Sequence, residues 1–302
     1  MADRVPPQLA RGAEQVPPRL ARGAEQVQPR RARGAVGSRL AVYRHLIRAQ
    51  VRAQATYRAS FILDVAGNAL IPVIDVVGVL ALFRVTRSLG GFTAFEVLAM
   101  FGLSATSFAL ADLAVGNIEK IRLYVRQGLL DAVLLRPLPV LGQLVALDFT
   151  IRRISRLLVA LVVVVVALSR MHVQWTPARI GLVVLAPLFG ALFFGAIFVM
   201  TATVAFWWID SGEFANAFTY GGRDFTSYPV TVYSGVLRTL FAYCVGFAFV
   251  AYYPALALLG RPDPLGSPAW VAWSSPLVAV AAAGIAAVVW RFGVRHYRST
   301  GS

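Results

Sequence analysis

The sequence predicts an all-α polytopic membrane protein of about six transmembrane helices, and three observations point that way. Hydrophobic residues make up 58% of the 302 and charged residues only 14%. A soluble domain carries about 25% charged residues, so this chain lacks the polar surface to cover itself in water. Six apolar runs, near 60–83, 93–116, 149–168, 180–208, 236–259 and 274–292, each approach the ~20 residues a helix needs to cross the hydrocarbon core. All six are continuous and none alternates with period two, which excludes a transmembrane β-barrel.

Residues 1–38 stand apart from these runs. They hold an imperfect repeat of period 11: VPPQLARGAEQ from Val5, VPPRLARGAEQ from Val16 and VQPRRARGA from Val27. Proline in each copy opposes a continuous helix, and the composition cannot bury a core. The tail reads as disordered or as an overextended start of translation, with contact to anionic lipid as the alternative. It is not read as a signal peptide, since no apolar core follows its charges before about Phe61.

Residues 39–58 predict an interfacial elbow helix. Arg44, Arg48 and Arg52 recur every four residues, flanked by Leu40, Tyr43, Ile47 and Val51. Such a stripe suits a helix lying in the headgroup layer, with Arg stems along the acyl chains.

The first run is unusually polar. Asp64, Asn68 and Asp75 share one helical face, and Pro72 can kink the helix between them. Ionisable groups at membrane depth face a cavity or a partner. Two readings follow: a translocation path suited to cationic or polar substrates, or structural pairing with an arginine. Asp112 invites the same question. Arg152, Arg153 and Arg156, which open the third run, can reach the inner headgroups or pair with Asp112, Asp131 or Asp148. In the sixth run, Ala279, Ala283 and Ala287 with Gly284 form a small-residue stripe for close packing.

Between the second and third runs, residues 118–137 predict a short amphipathic helix after Gly128, carrying Leu129, Leu130, Val133 and Leu134 and ending at Pro137. The proline pushes Arg136 toward extended backbone. With the N-terminus inside, 17 basic residues fall on the cytoplasmic side and 5 outside, the bias that orients membrane proteins. Both termini are then cytoplasmic. Trp207, Trp208 and Trp290 fall at inner boundaries, and Trp175, Trp270 and Trp273 at outer ones. The longer connections, 117–148 and 209–235, lie inside, so a soluble partner should dock there.

Several functions are excluded. The net charge of +15 is spread between apolar runs and forms no continuous patch for nucleic acid. A phosphate-binding loop GxxxxGK[ST] needs a lysine, and the only one, Lys120, follows Glu119. A single cysteine, Cys244, and three scattered histidines, His45, His172 and His296, argue against a metal site. No HExxH or GxSxG motif occurs, so the chain reads as a non-catalytic subunit that binds no cofactor itself.

Three stretches carry a specific resemblance over residues 40–302: VRQGLLDAVLLRPLPV from Val125; FWW from Phe206 with NAFTYGG from Asn216 and YPVTVY from Tyr228; and AYYPALALLGRPDPLGSP from Ala251 with the C-terminal WRFGVRHYRSTGS. They resemble the ABC-2-type permease family, the integral subunits of ATP-binding cassette exporters. The repeat tail departs from the family pattern. The resemblance implies that 118–137 is a coupling helix seated on a separate ATPase. Gly128, Leu130, Asp131, Leu134, Arg136 and Pro137 match the family pattern, and Arg126 is placed on the same surface. It also implies two ATPase subunits holding ATP and Mg, a second permease (a related sibling or an identical copy), and a bacterial inner-membrane location. Asp64, Asn68 and Asp75 are the candidates for the path. A self-sufficient secondary transporter or channel would instead show an inverted repeat and broken helices, and no such symmetry relates 60–168 to 180–292. A membrane-embedded transferase would need a polar cluster near one interface.

Overall fold

The computed structural model describes residues 58–147 and 153–297. The repeat tail, nearly all of the expected elbow helix 39–58, and Arg152 and Asp148 lie outside the described residues. Helix α1 spans Arg58–Val85 and α2 Ala94–Val115. A 3-10 turn, Gly116–Lys120, leads to α3, Ile121–Arg126, then α4, Leu129–Leu134, and α5, Val140–Leu147. Helix α6 is Ile154–Arg170 and α7 Pro177–Thr203. Helix α8 is Gly212–Thr226, α9 Gly235–Val245, α10 Tyr252–Leu259 and α11 Ser275–His296. Among the described residues the only β pairing is an isolated bridge, Leu89 to Phe92.

Helix α2 is the centre of the bundle. Its apolar residues are buried almost from end to end, from Val97 to Ala111. Helices α6 and α7 pack along it, and α11 packs along α7. An aromatic cluster fills the middle: Phe108 meets Phe194, Phe198 and Tyr220, and Phe247 meets Phe193, Phe225 and Phe241. Side chains of this size bury the most apolar area per residue. The bundle's outer face is apolar too. Helix α1 exposes Ile62, Leu70, Ile74 and Val77, and α11 exposes Leu277, Val280, Ile285 and Val288. In water such a surface would drive aggregation; in lipid it is the ordinary exterior.

By length and apolarity four helices qualify as membrane crossings, or five if the bent pair α9–α10 counts as one. The expectation was six, and two elements account for the difference. Helix α6 covers the third expected run, but only 17 of its residues are helical in the described part; its run begins in 148–152, outside the described residues. The second difference lies in 209–259, where the expected loop holds a helix and the apolar run is bent.

The segment expected as an inner loop, 209–235, traverses the bundle antiparallel to α2. Arg126 pairs with Asp210, and Arg122 lies against Gly212. Tyr220 donates to Glu119 at 3.4 Å and packs its ring on Phe108. Thr226 shares a 2.5 Å hydrogen bond with Ser104, halfway along α2. Thr231 then donates to the Gly90 carbonyl at 2.8 Å, beyond the far end of α2. The run 236–259, expected as one span, is bent by 65°. Gly246 sits at the break with φ +101°, a backbone that side-chain-bearing residues avoid. Helix α9 starts near the Thr231 end. The chain turns where Phe247 covers Gly222 and Val250 reaches Gly190. Helix α10 then returns, Tyr252 donating to Asp263 at 2.6 Å and Arg261 bonding Glu96 in the first turn of α2 at 3.2 Å.

Candidate functional site

Two features carry chemistry. One is a knob at the end of the bundle that holds Arg122 and Arg126. The other is a polar seam between α1 and α8.

The knob is built from α3 and α4. Gly128 joins them in a left-handed conformation, φ +68°, which reverses the chain in one residue. Ile121, Val125, Leu130 and Val133 are buried and fasten the knob to the bundle. Leu130 was expected on the docking surface and is instead 1% exposed; it anchors the knob. After Gly128 its exposed residues include Leu129, Leu134, Leu135, Arg136 and Pro137, and α3 exposes Leu123 and Arg126. Leu135, at 87% exposure, was not singled out by sequence. Asp131 is half-buried beside Tyr297 at the end of α11; burial, reinforced by the Asp131 carboxylate, raises the tyrosine's pKa above its usual value. A second residue missed by sequence, Gln143, is buried in α5 and donates to the Val133 and Leu138 carbonyls at 3.1 and 2.8 Å. These bonds hold the Pro137 turn, where the prolines leave carbonyls without helical partners. Behind the knob, Asp112 is buried with Arg153 at 2.8 Å and Arg156 at 3.4 Å, the pairing that sequence suggested.

The knob is tied to α8. The Arg126–Asp210 ion pair and the Arg122 side chain over Gly212 both link α3 to the start of that helix.

The seam lies higher along α8. Asp64, Asn68 and Asp75 are partly buried on the inward face of α1. Asn68 donates to the carbonyl of Asp64 in its own helix at 2.7 Å. Asp75 forms an ion pair with Arg223 of α8, whose guanidinium carbon stands 6.0 Å over the Phe108 ring in a cation–π arrangement. The neighbouring Asp224 is 71% exposed, its nearest cation the Arg223 Nε at 3.9 Å. Depth follows from helix geometry. Ser104, which holds Thr226, is ten residues into α2, and Asp75 is ten residues from the end of α1. At 1.5 Å per residue both lie about 15 Å from the Gly90 end, half the thickness of a bilayer's hydrocarbon core.

Among the described residues no group of His, Cys, Asp and Glu is arranged to hold a metal ion. No curated protein and no solved structure matched the chain. The family model for the ABC-2 family transporter protein matches residues 69–301, a range that includes the knob, α8 and most of the seam. The chain is a multi-pass membrane protein and belongs to the ABC-2 transporter family.

Proposed function

We propose that this chain is the permease subunit of an ATP-driven exporter, forming the translocation path and taking its drive from a separate ATPase that holds ATP and Mg. The knob carries this reading. It exposes three leucines beside Arg136 at one end of the bundle, yet it is fastened by buried residues and by Gln143. An apolar surface held that firmly is suited to receive a push from a docked protein. The push has a route: α3 is tied to the start of α8, and α8 carries Arg223 to Asp75 at mid-depth.

On this reading the knob end is cytoplasmic and the membrane is the bacterial cytoplasmic (inner) membrane. Helices α1, α2, α6, α7, α8 with its extension to Val232, and α11 make six crossings, with both termini inside. The open face of α8 requires a second permease. A carboxylate such as Asp224 is not left facing lipid at mid-depth. An identical copy or a sibling packed against this face encloses a polar path between two seams.

The break at Gly246 favours a second reading, a self-sufficient secondary transporter, because broken helices are common in that class. Purification from native membranes separates the two. An exporter permease brings an ATPase with it, and the complex hydrolyses ATP. A chain that purifies alone, with no hydrolysis by any associated protein, refutes the proposal. Within a complex, Asp131→Ala and Arg136→Ala should lower transport-linked hydrolysis while insertion is retained; unchanged hydrolysis would remove the knob from the mechanism.

A further inference from the structure

From a cleft between α2, α7 and α11, we infer that the protein holds an anionic diacyl phospholipid, with an acyl chain in the cleft and the phosphate on Arg291 and Arg295. The cleft has a volume of 440 Å³. Small residues make the room: Ala114 on α2, Gly195 on α7, and Ala283 and Ala287 on α11. Leu141 of α5, close behind the knob, also lines it. Ala114, Leu192 and Ala287 are exposed, so the cleft opens on the outer face of the bundle. Among the described residues that line it, Arg291 alone is charged. A dry apolar cavity of ~150 Å³ already takes a benzene-sized ligand.

Length and charge both select the occupant. The cleft runs from Ala283 to Arg291 on α11 and from Ala191 to Val199 on α7, about 12 Å at 1.5 Å per residue. Its Arg291 end is five residues from the end of α11. There Trp290 and Arg291 stand together, as such residues do at headgroup level. A chain of the leaflet on the knob side runs from that level to the bilayer middle, ~15 Å away. Arg291 and Arg295 are exposed and one turn apart on one face of α11, where like charges repel. Among the described residues neither has an ion-pair or hydrogen-bond partner. The described acids at this end are placed elsewhere. Asp112 lies between Arg153 and Arg156, Asp210 holds Arg126, Glu119 accepts from Tyr220, and Asp131 stands by Tyr297. Glu213 shares a pocket with Arg122 and Arg126 at the start of α8. Two unpaired guanidinium groups at the mouth of an apolar cleft match a phosphate carried on an acyl chain, and basic pockets between membrane helices hold anionic headgroups in this way. A second permease is the rival occupant, but α11 packs along α7, whereas the open face that needs a subunit is that of α8.

The test uses two lipids with the same acyl chains and different headgroups. The full chain, in neutral detergent, is titrated with phosphatidylglycerol and with phosphatidylcholine, and bound lipid is counted by native mass spectrometry. Phosphatidylglycerol should bind about tenfold or more tightly, the scale of a charge-assisted contact. Arg291→Gln should weaken it about fivefold, the worth of one basic residue at an anionic lipid, and leave phosphatidylcholine unchanged; Arg291→Lys should retain most of the affinity. Ala287→Phe puts a ring where the acyl chain would lie and should weaken both lipids. It reads the same site if Arg291→Gln does not fold. Equal binding of the two lipids overturns the inference, and so does a preference that neither Arg291→Gln nor Ala287→Phe moves. An Ala287→Phe chain that falls from dimer to monomer with lipid binding unaltered also overturns it, and marks the cleft as a subunit contact. The measurement needs no ATPase, so either result leaves the exporter reading to its own test.

Discussion

Replacing Asp112 by alanine should lower the melting temperature of the purified protein by about 6–12 °C. The side chain is 1% exposed and lies between Arg153 and Arg156, themselves 18% and 27% exposed. Removing the carboxylate leaves two enclosed guanidinium groups without their shared anion. Breaking a buried ion pair from one side costs about 3–5 kcal/mol. The lower end applies here, because both arginines retain some access to water and Arg153 keeps its 2.6 Å bond to the Asp112 carbonyl. For a chain of this size each kcal/mol is worth about 2–4 °C. Asp112→Asn should cost nearly as much, since it keeps the shape and loses the charge. The assay is thermal unfolding in detergent followed by tryptophan fluorescence. Arg153→Ala alone and with Asp112→Ala completes a cycle; the double variant should be less damaged than the sum, by about 1 kcal/mol or more. An Asp112→Ala protein that melts within about 2 °C of the parent, or strict additivity in the cycle, refutes the pairing as a source of stability.

Three further outcomes are expected. Gly190→Ala should destabilise by about 1–3 kcal/mol, because the new Cβ would stand 2.7 Å from the Ser107 Cβ and force α2 from α7; an unchanged melt would contradict that packing. Gly246→Ala should cost at least about 1–2 kcal/mol, the penalty for a side chain in left-handed backbone, given φ +101° at the break; a neutral result would mean that α9 and α10 join as one straight helix. Gln143→Ala should speed amide hydrogen exchange through 129–139 while α2 stays protected, since it removes the donors to Val133 and Leu138; equal exchange would deny Gln143 its positioning role.

The parts legible in sequence are those where one property decides. Helices α1, α2, α7 and α11 were readable because an unbroken apolar run of sufficient length has few other uses. The turn of the knob was readable because Gly128 and Pro137 restrict backbone in opposite ways. Its facing was not. Helix α4 has six residues, too few for periodicity to say whether Leu129 or Leu130 points inward. Helix α8 was missed because Glu213, Arg223 and Asp224 make it read as a loop. Its buried residues, Gly212, Thr219, Gly222, Phe225 and Thr226, follow one another at steps of seven, three, three and one, which keep them on one helical face, and that spacing was the available signal. The bend inside 236–259 was out of reach because hydropathy measures length and not straightness. The partner of Asp75 was out of reach for a different reason: Arg223 is 148 residues away, and a helical face shows that a charge needs a partner without showing which.

The two surprises in 209–259, a polar helix at 212–226 and a bend at Gly246, bear on the proposed topology. A crossing helix can be polar when other helices and a second subunit cover it, and an apolar run can fail to cross when a glycine turns it back. On the proposed topology, counting 212–232 as a crossing in place of 236–259 leaves the number even and keeps both termini on one side. On that topology Arg223 would move from the inner tally to mid-depth and Arg238 to the outer side, giving 15 basic residues inside against 6 outside. The bias weakens slightly and keeps its sign, because it is carried by the residues around the knob and at the ends of α1 and α11. The two arginines that changed place differ in what their new positions demand. Arg238 needs only the headgroup layer. Arg223 at mid-depth needs an anion, and Asp75 is there, which is why the one basic residue of α8 and the acid of the first crossing have to be read as a single element.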